Sequence, residues 1–125
     1  MFKFYRAGVM MTPANEALPA TAGEEYAVGE ALKLANGAAT KASGTDAPAY
    51  IAQGPAQGGF VPAVRVSPEI EWETTLSAAG TALKVGDKVT LSADGLGVTA
   101  TTASGVAEIT NILDTAAGGT VRVRL

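Results

Sequence analysis

Residues 28–46 read VGEALKLANGAATKASGTD, and residues 85–105 read VGDKVTLSADGLGVTATTASG. The two stretches align in register. Val28-Gly29-Glu30 matches Val85-Gly86-Asp87 at an offset of 57 (85 − 28), and Leu32 and Leu34 match Val89 and Leu91 at the same offset. Asn36-Gly37 then matches Asp94-Gly95 at 58 (94 − 36), so the second copy carries one extra residue. Val64-Arg65-Val66 matches Val121-Arg122-Val123, again at 57 (121 − 64). Each copy therefore runs Val-Gly-acid, a strand, a turn with glycine, another strand, a glycine-rich break and Val-Arg-Val. A half of about 55 residues can barely bury its own apolar face, so two halves packed on a shared core are expected.

The local signals are those of a β protein. Val64-Arg65-Val66, Val89-Thr90-Leu91-Ser92 and residues 121–125 (VRVRL) alternate apolar and polar side chains, which sends one set to a core and the other to water. Asn-Gly and Asp-Gly tolerate the positive φ of tight hairpin turns. Short strands between regularly spaced turns predict a small β-barrel or sandwich. Helix signals are thin. Residues 104–113 (SGVAEITNIL) fit a short helix or a strand, residues 74–83 are a connection weakened by Gly80, and residues 52–62 (AQGPAQGGFVP) read as a long surface loop. The expected architecture is mainly β: a single small domain with an approximate internal duplication and an extended N-terminal arm. The arm is 1–22, and the β domain is 23–125, built from halves at about 26–66 and 83–125.

Composition narrows the chemistry. With 125 residues there is room for one domain. Histidine and cysteine are both absent. This removes Cys/His zinc sites, Ser-His-Asp and Cys-His catalysis, and disulfide staples. The nine Lys and Arg residues are scattered through a chain of net charge −3, which is not the footprint of a nucleic-acid binder or of a polybasic membrane patch. No apolar run is long enough to span a bilayer, and Arg6, Thr12, Pro13 and Asn15 interrupt any signal-peptide core. The sequence implies no cofactor and no metal.

Three features could carry function. Phe2, Phe4 and Tyr5 crowd the N-terminus with Arg6 beside them. They are either a first strand packing inward or an arm that adds to a partner's sheet. Glu69, Glu71 and Glu73 alternate around Ile70 and Trp72, which on a strand places the carboxylates on one face and Trp72 on the other. Such a stripe suits a solvated face that deters edge-to-edge aggregation. It could also bind a hard cation such as Ca²⁺, whereas glycosidase chemistry would need two carboxylates opposed across a cleft. Trp72 is either a core anchor or a sugar-stacking platform. Arg65, Arg122 and Arg124 fall at or near matched strand positions and could pair with acids of neighbouring strands or of a neighbouring subunit. The glycine-rich GPAQGG at 54–59 lacks the Gly-Lys-Ser/Thr ending of a phosphate loop.

YAVGEALKLANGAATKASGTDAPAYIA, then LKVGDKVTLSADGLGVTATTASGVAEI, and a terminal GGTVRVRL follow one another over roughly residues 24–125. In that order they resemble the small head decoration (capsid cement) proteins of tailed bacteriophages. The resemblance implies a non-enzymatic β protein, made in the bacterial cytoplasm, that binds the outer surface of an expanded capsid and reinforces it. It implies the major capsid protein as partner and a homo-oligomer, with a trimer favoured, although some relatives bind as monomers or dimers. It carries over no site residues. On this reading Phe2, Phe4, Tyr5 and Arg6 are the capsid-contact candidates. The alternative from the residues alone is a carbohydrate- or receptor-binding β module centred on Trp72, Glu71 and Glu73.

Overall fold

The structure, a computed structural model, describes residues 1–7 and 14–125. Ten strands and no helix are found among them: β1 (Lys3–Ala7), β2 (Asn15–Pro19), β3 (Ala31–Ala35), β4 (Ala38–Lys41), β5 (Tyr50–Ala52), β6 (Phe60–Arg65), β7 (Ile70–Thr75), β8 (Lys88–Val89), β9 (Ala107–Ile112) and β10 (Thr120–Arg124). They form two antiparallel five-stranded sheets, ordered β2-β6-β5-β3-β4 and β1-β7-β10-β9-β8.

The duplication is written in this order. Replacing β2, β6, β5, β3 by β7, β10, β9, β8 turns four strands of the first sheet into four of the second, leaving β4 and β1 as the unmatched edges. The register agrees where the turns agree. Leu32 lies opposite Tyr50 in the first half and Val89 opposite Ala107 in the second, both displaced by 57. The first sheet also curls until its edges meet, with a parallel bridge from Ala20 to Ala39. In the second, Leu76 just past β7 bridges Val98, which bridges Leu91 beyond β8, and β1 stays outside this closure. The Val-Arg-Val match, however, is out of register. Ala63 opposes Ala52 as Val123 opposes Ile109, an offset of 60 (123 − 63) rather than 57. From Ile109 to Val123 the chain advances 14 positions (123 − 109), where from Ala52 to Ala63 it advances 11 (63 − 52). One of the three extra residues is Thr110, left unpaired by a bulge in β9 opposite Arg122 and Val123, so equal tripeptides sit on corresponding strands at different positions.

The turns behave as glycine-bearing turns must. Gly29 and Gly86 have φ of 78° and 98°, and Asn36-Gly37 takes 52° and 77° in the β3–β4 hairpin. Of the ambiguous segments, 104–113 holds β9 and 74–83 begins with the end of β7 before becoming loop. The 52–62 loop ends at Phe60, where β6 starts.

Two apolar clusters form the interior. Leu18, Tyr26, Leu32, Tyr50 and Val61 pack with small alanines inside the first half. Trp72, Leu76, Leu91, Ile109, Val121 and Val123 fill the second, and Ala31, Ile51 and Val64 of the first half join them from the other face of its sheet. The shared core is therefore the second cluster, while the first half keeps a core of its own. Backbone bonds stitch the halves: Leu91 N–H to Gly44 O at 2.9 Å and Ala31 N–H to Gly95 O at 2.8 Å.

The arm reading of residues 1–22 does not hold for the described part of that segment. Lys3–Ala7 pairs along β7 and Asn15–Pro19 along β6, so the segment supplies one edge strand to each sheet. Residues 8–13 of the expected arm lie outside the described residues. The alternation at Val89-Thr90-Leu91-Ser92 also fails as a wet/dry pattern, because all four side chains are buried. The Thr90 hydroxyl pairs with that of Thr99 at 2.7 Å, and the Ser92 hydroxyl donates to Asp94 at 2.6 Å. Hydrogen bonding thus permits polar side chains where water was expected.

Candidate interaction surface

The outer face of the second sheet gathers charge in rows that cross the strands. Residues directly opposite on neighbouring strands share a face, so register fixes each row. One row runs Arg6, Glu71, Arg124, Glu108, Lys88 across β1-β7-β10-β9-β8. Arg6 Nη2 donates to Glu71 Oε1 at 3.1 Å, and Arg124 Nη2 donates to the same oxygen at 3.2 Å. The next row runs Lys3, Glu73, Arg122, Asn111. Arg122 Nε donates to Glu73 Oε2 at 3.2 Å, and its guanidinium lies 3.8 Å from the centre of the Tyr5 ring. That stacking adds a cation–π attraction and pins an exposed aromatic flat against the sheet.

The charge balance of this face differs from that of the chain. It holds Lys3, Arg6, Lys88, Arg122 and Arg124, five of the nine cations, against Glu71, Glu73 and Glu108, three of the twelve acids. Five less three leaves +2 on a protein of net charge −3. Lys3 and Lys88 are exposed at opposite edges, on β1 and β8. At the end of the face where β10 finishes and β9 begins lies a cleft of about 410 Å³ lined by Pro68, Lys88, Glu108 and Arg124 among others.

The carboxylate stripe is thus not the solvated row that alternation suggests. Glu71 is only 5% exposed, covered by the two arginines that bind it. Glu69 lies in the turn before β7. Among the described residues no group of three or more acids is placed to hold a metal ion. The arginine pairing within the chain is as the sequence offered it: Arg65 with Glu16 at 3.2 Å, Arg122 with Glu73, Arg124 with Glu71. The charge rows themselves were missed by sequence reading, because they depend on which strands become neighbours.

The four N-terminal candidates separate. Phe2 is 2% exposed and belongs to the shared core, so it is not available as a contact residue. Phe4 and Tyr5 are 44% and 40% exposed on β1, and Phe4 meets Trp72 edge-to-face at 6.3 Å. Arg6 is exposed but held by Glu71. Trp72 is 1% exposed, which makes it a core anchor and removes it as a stacking platform.

Comparisons with protein-family models, curated proteins and solved structures find no match to this chain.

Proposed function

We propose that this protein is a non-enzymatic phage head decoration protein that docks on the major capsid protein through the outer face of the second sheet. The face is the observation that carries the reading. It is broad, it is basic on an acidic chain, and it holds the exposed aromatic Tyr5, stacked on Arg122, at its β1 edge. A face spread over five strands fits a shallow contact repeated over a lattice, where multivalency substitutes for one tight site. The order of motifs over residues 24–125 supports the same reading. The capsid surface that fits is acidic, the protein acts as a homo-oligomer with a trimer favoured, and its place is the outer surface of the virion. The carbohydrate-binding alternative loses its platform, because Trp72 is buried and Glu71 and Glu73 are bound by arginines.

Co-sedimentation with expanded heads that lack the protein tests this. The wild type is expected to bind saturably and more weakly as salt rises. The Lys3→Glu/Lys88→Glu double variant is expected to lose occupancy, and Lys84→Glu, off this face, to retain it. Absence of binding to any expanded head overturns the reading. Equal occupancy for the face variant and the control overturns the docking face.

A further inference from the structure

The two Val-Gly-acid turns end in carboxylates with different surroundings. In the second, Asp87 is half-buried and its Oδ2 accepts the Lys84 N–H at 2.9 Å. In the first, Glu30 is 7% exposed and its Oε2 has no hydrogen-bond partner among the described residues. A buried acceptor without a donor is expensive when neutral and more so when charged.

Glu30 also stands where three pieces of the molecule meet. Its own carbonyl accepts the Ala52 N–H at the end of β5 at 2.9 Å. The preceding Gly29 carbonyl accepts the Phe2 N–H at 2.9 Å, which fixes the entry to β1. The following Ala31 N–H reaches Gly95 O of the second half at 2.8 Å. The packing is tight enough that a Cβ on Gly29 would come within 2.6 Å of Met1 Cβ.

The charges facing Glu30 do not neutralise it. Burial raises its carboxyl above the usual range; Lys41 on β4 and the Ala27 N–H oppose this, and the carboxylates of Glu24 and Asp94 add to it. Glu24 is already engaged, accepting from the Thr40 hydroxyl at 2.8 Å and the Lys41 N–H at 2.8 Å. Asp94 is held ionised by the Ser92 hydroxyl and the Leu96 N–H, and it faces the Met1 amine, which also feels Lys3. A proton on Oε2 would remove a charge from beside two carboxylates and turn a bare acceptor into a donor.

We propose that Glu30 is a protonation latch between the N-terminal strand, the first half and the Asp94-Gly95 turn. With the carboxyl neutral, the three attachments are closed. When it ionises, the group is relieved by local opening that lets water reach it, and the Ala31–Gly95 and Phe2–Gly29 bonds open with it. The proposal does not depend on the capsid reading. It makes the seating of β1, the edge of the docking face, responsive to pH.

The sign follows from linkage. An acid whose folded pKa is raised contributes stability fully present below its free value near 4.5, and loses it as pH rises through the folded value. The test is amide hydrogen exchange of Ala31 and Ala52, corrected for intrinsic rates, between pH 4 and 8. In the wild type, protection is expected to fall with rising pH, about tenfold for each unit by which the folded pKa exceeds the free one. In Glu30→Gln it is expected to stay flat, and in Asp87→Asn to keep the wild-type slope. The Glu30 side-chain carbon resonance in the wild type supplies a second readout that needs no variant, and it is expected to titrate above the ordinary glutamate range. The same slope in wild type and Glu30→Gln, or an ordinary titration of Glu30, overturns the latch.

Discussion

The two halves share strand order and turns but fill their interiors differently. At matched positions the first half has Tyr50 and Ala52 where the second has Ala107 and Ile109, and it has Ala63 where the second has Val123. The first half adds side chains to the bridge that closes its sheet. Tyr26 donates its hydroxyl to Ala39 O at 2.7 Å while accepting the Thr21 N–H at 2.8 Å. The second closes with backbone, Val98 N–H to Thr75 O at 3.0 Å and Ser77 N–H to Val98 O at 2.8 Å. Leu34 and Leu91 occupy equivalent places, yet Leu34 is 49% exposed on a projecting hairpin and Leu91 is 1% exposed against Gly44 of the other half. The difference teaches that a duplicated chain keeps what the backbone demands, the glycine turns, and is free to redistribute volume between large and small neighbours.

The largest expected effect lies in the shared core. Trp72→Ala is expected to lose about 3–5 kcal/mol of unfolding free energy in a denaturant titration, and Ile109→Ala about 2–5 kcal/mol. Tyr50→Ala, in the first half's own core, is expected to cost less than Trp72→Ala. Equal losses would mean that the second cluster does not join the halves. A swap sharpens the comparison further. Ala52→Ile alone is expected to overpack the first half by about 1–3 kcal/mol. Combined with Tyr50→Ala, which copies the second half's arrangement, it is expected to recover part of the loss from either change alone. Strict additivity in the double variant would sink the compensation argument.

The turn glycines come next. Gly29→Ala and Gly86→Ala each place a side chain at positive φ, at a cost of about 1–2 kcal/mol. Gly86 has open space where the methyl would go, whereas Gly29 has Met1 Cβ and Phe2 O within 3 Å. The Gly29 variant is therefore expected to be the less stable, and a reversed order would contradict the packing of the N-terminus. Among the ion pairs, Glu71→Gln is expected to lower the midpoint clearly, because it leaves two arginines facing a buried neutral group. Glu16→Gln, in the exposed pair with Arg65, is expected to leave it unmoved. The smallest effect is on pH dependence. The Ser92 hydroxyl and the Leu96 N–H hold the Asp94 carboxyl below its usual range, so its contribution is present at neutral pH and lost as pH falls through the folded value. Asp94→Asn is expected to flatten that acid limb, while the same change leaves Asn36 of the first half as its natural counterpart.

How far the sequence could be read depends on where each constraint comes from. Gly29, Gly86 and Asn36-Gly37 announce their turns because positive φ is a local demand that few residues meet. The duplication is legible for the same reason, since its landmarks are turns. Pairing partners are not local. Nothing near Glu71 says that Arg6 and Arg124 will cover it, from 65 and 53 residues away. Phe2 reads like Phe4 until Gly29 and the shared core take it inside. The bulge at Thr110 in β9, opposite β10, likewise cannot be seen in a Val-Arg-Val that matches another. The basic face is invisible in a list of scattered lysines and arginines and appears only when five strands are laid side by side.

The account's central claim is that this β body reinforces a phage head from outside. The direct measurement is the temperature at which expanded heads lacking the protein disrupt, with and without saturating wild type. The account predicts a raised disruption temperature with the wild type and a smaller rise with Lys3→Glu/Lys88→Glu. An unchanged temperature at full occupancy would contradict it.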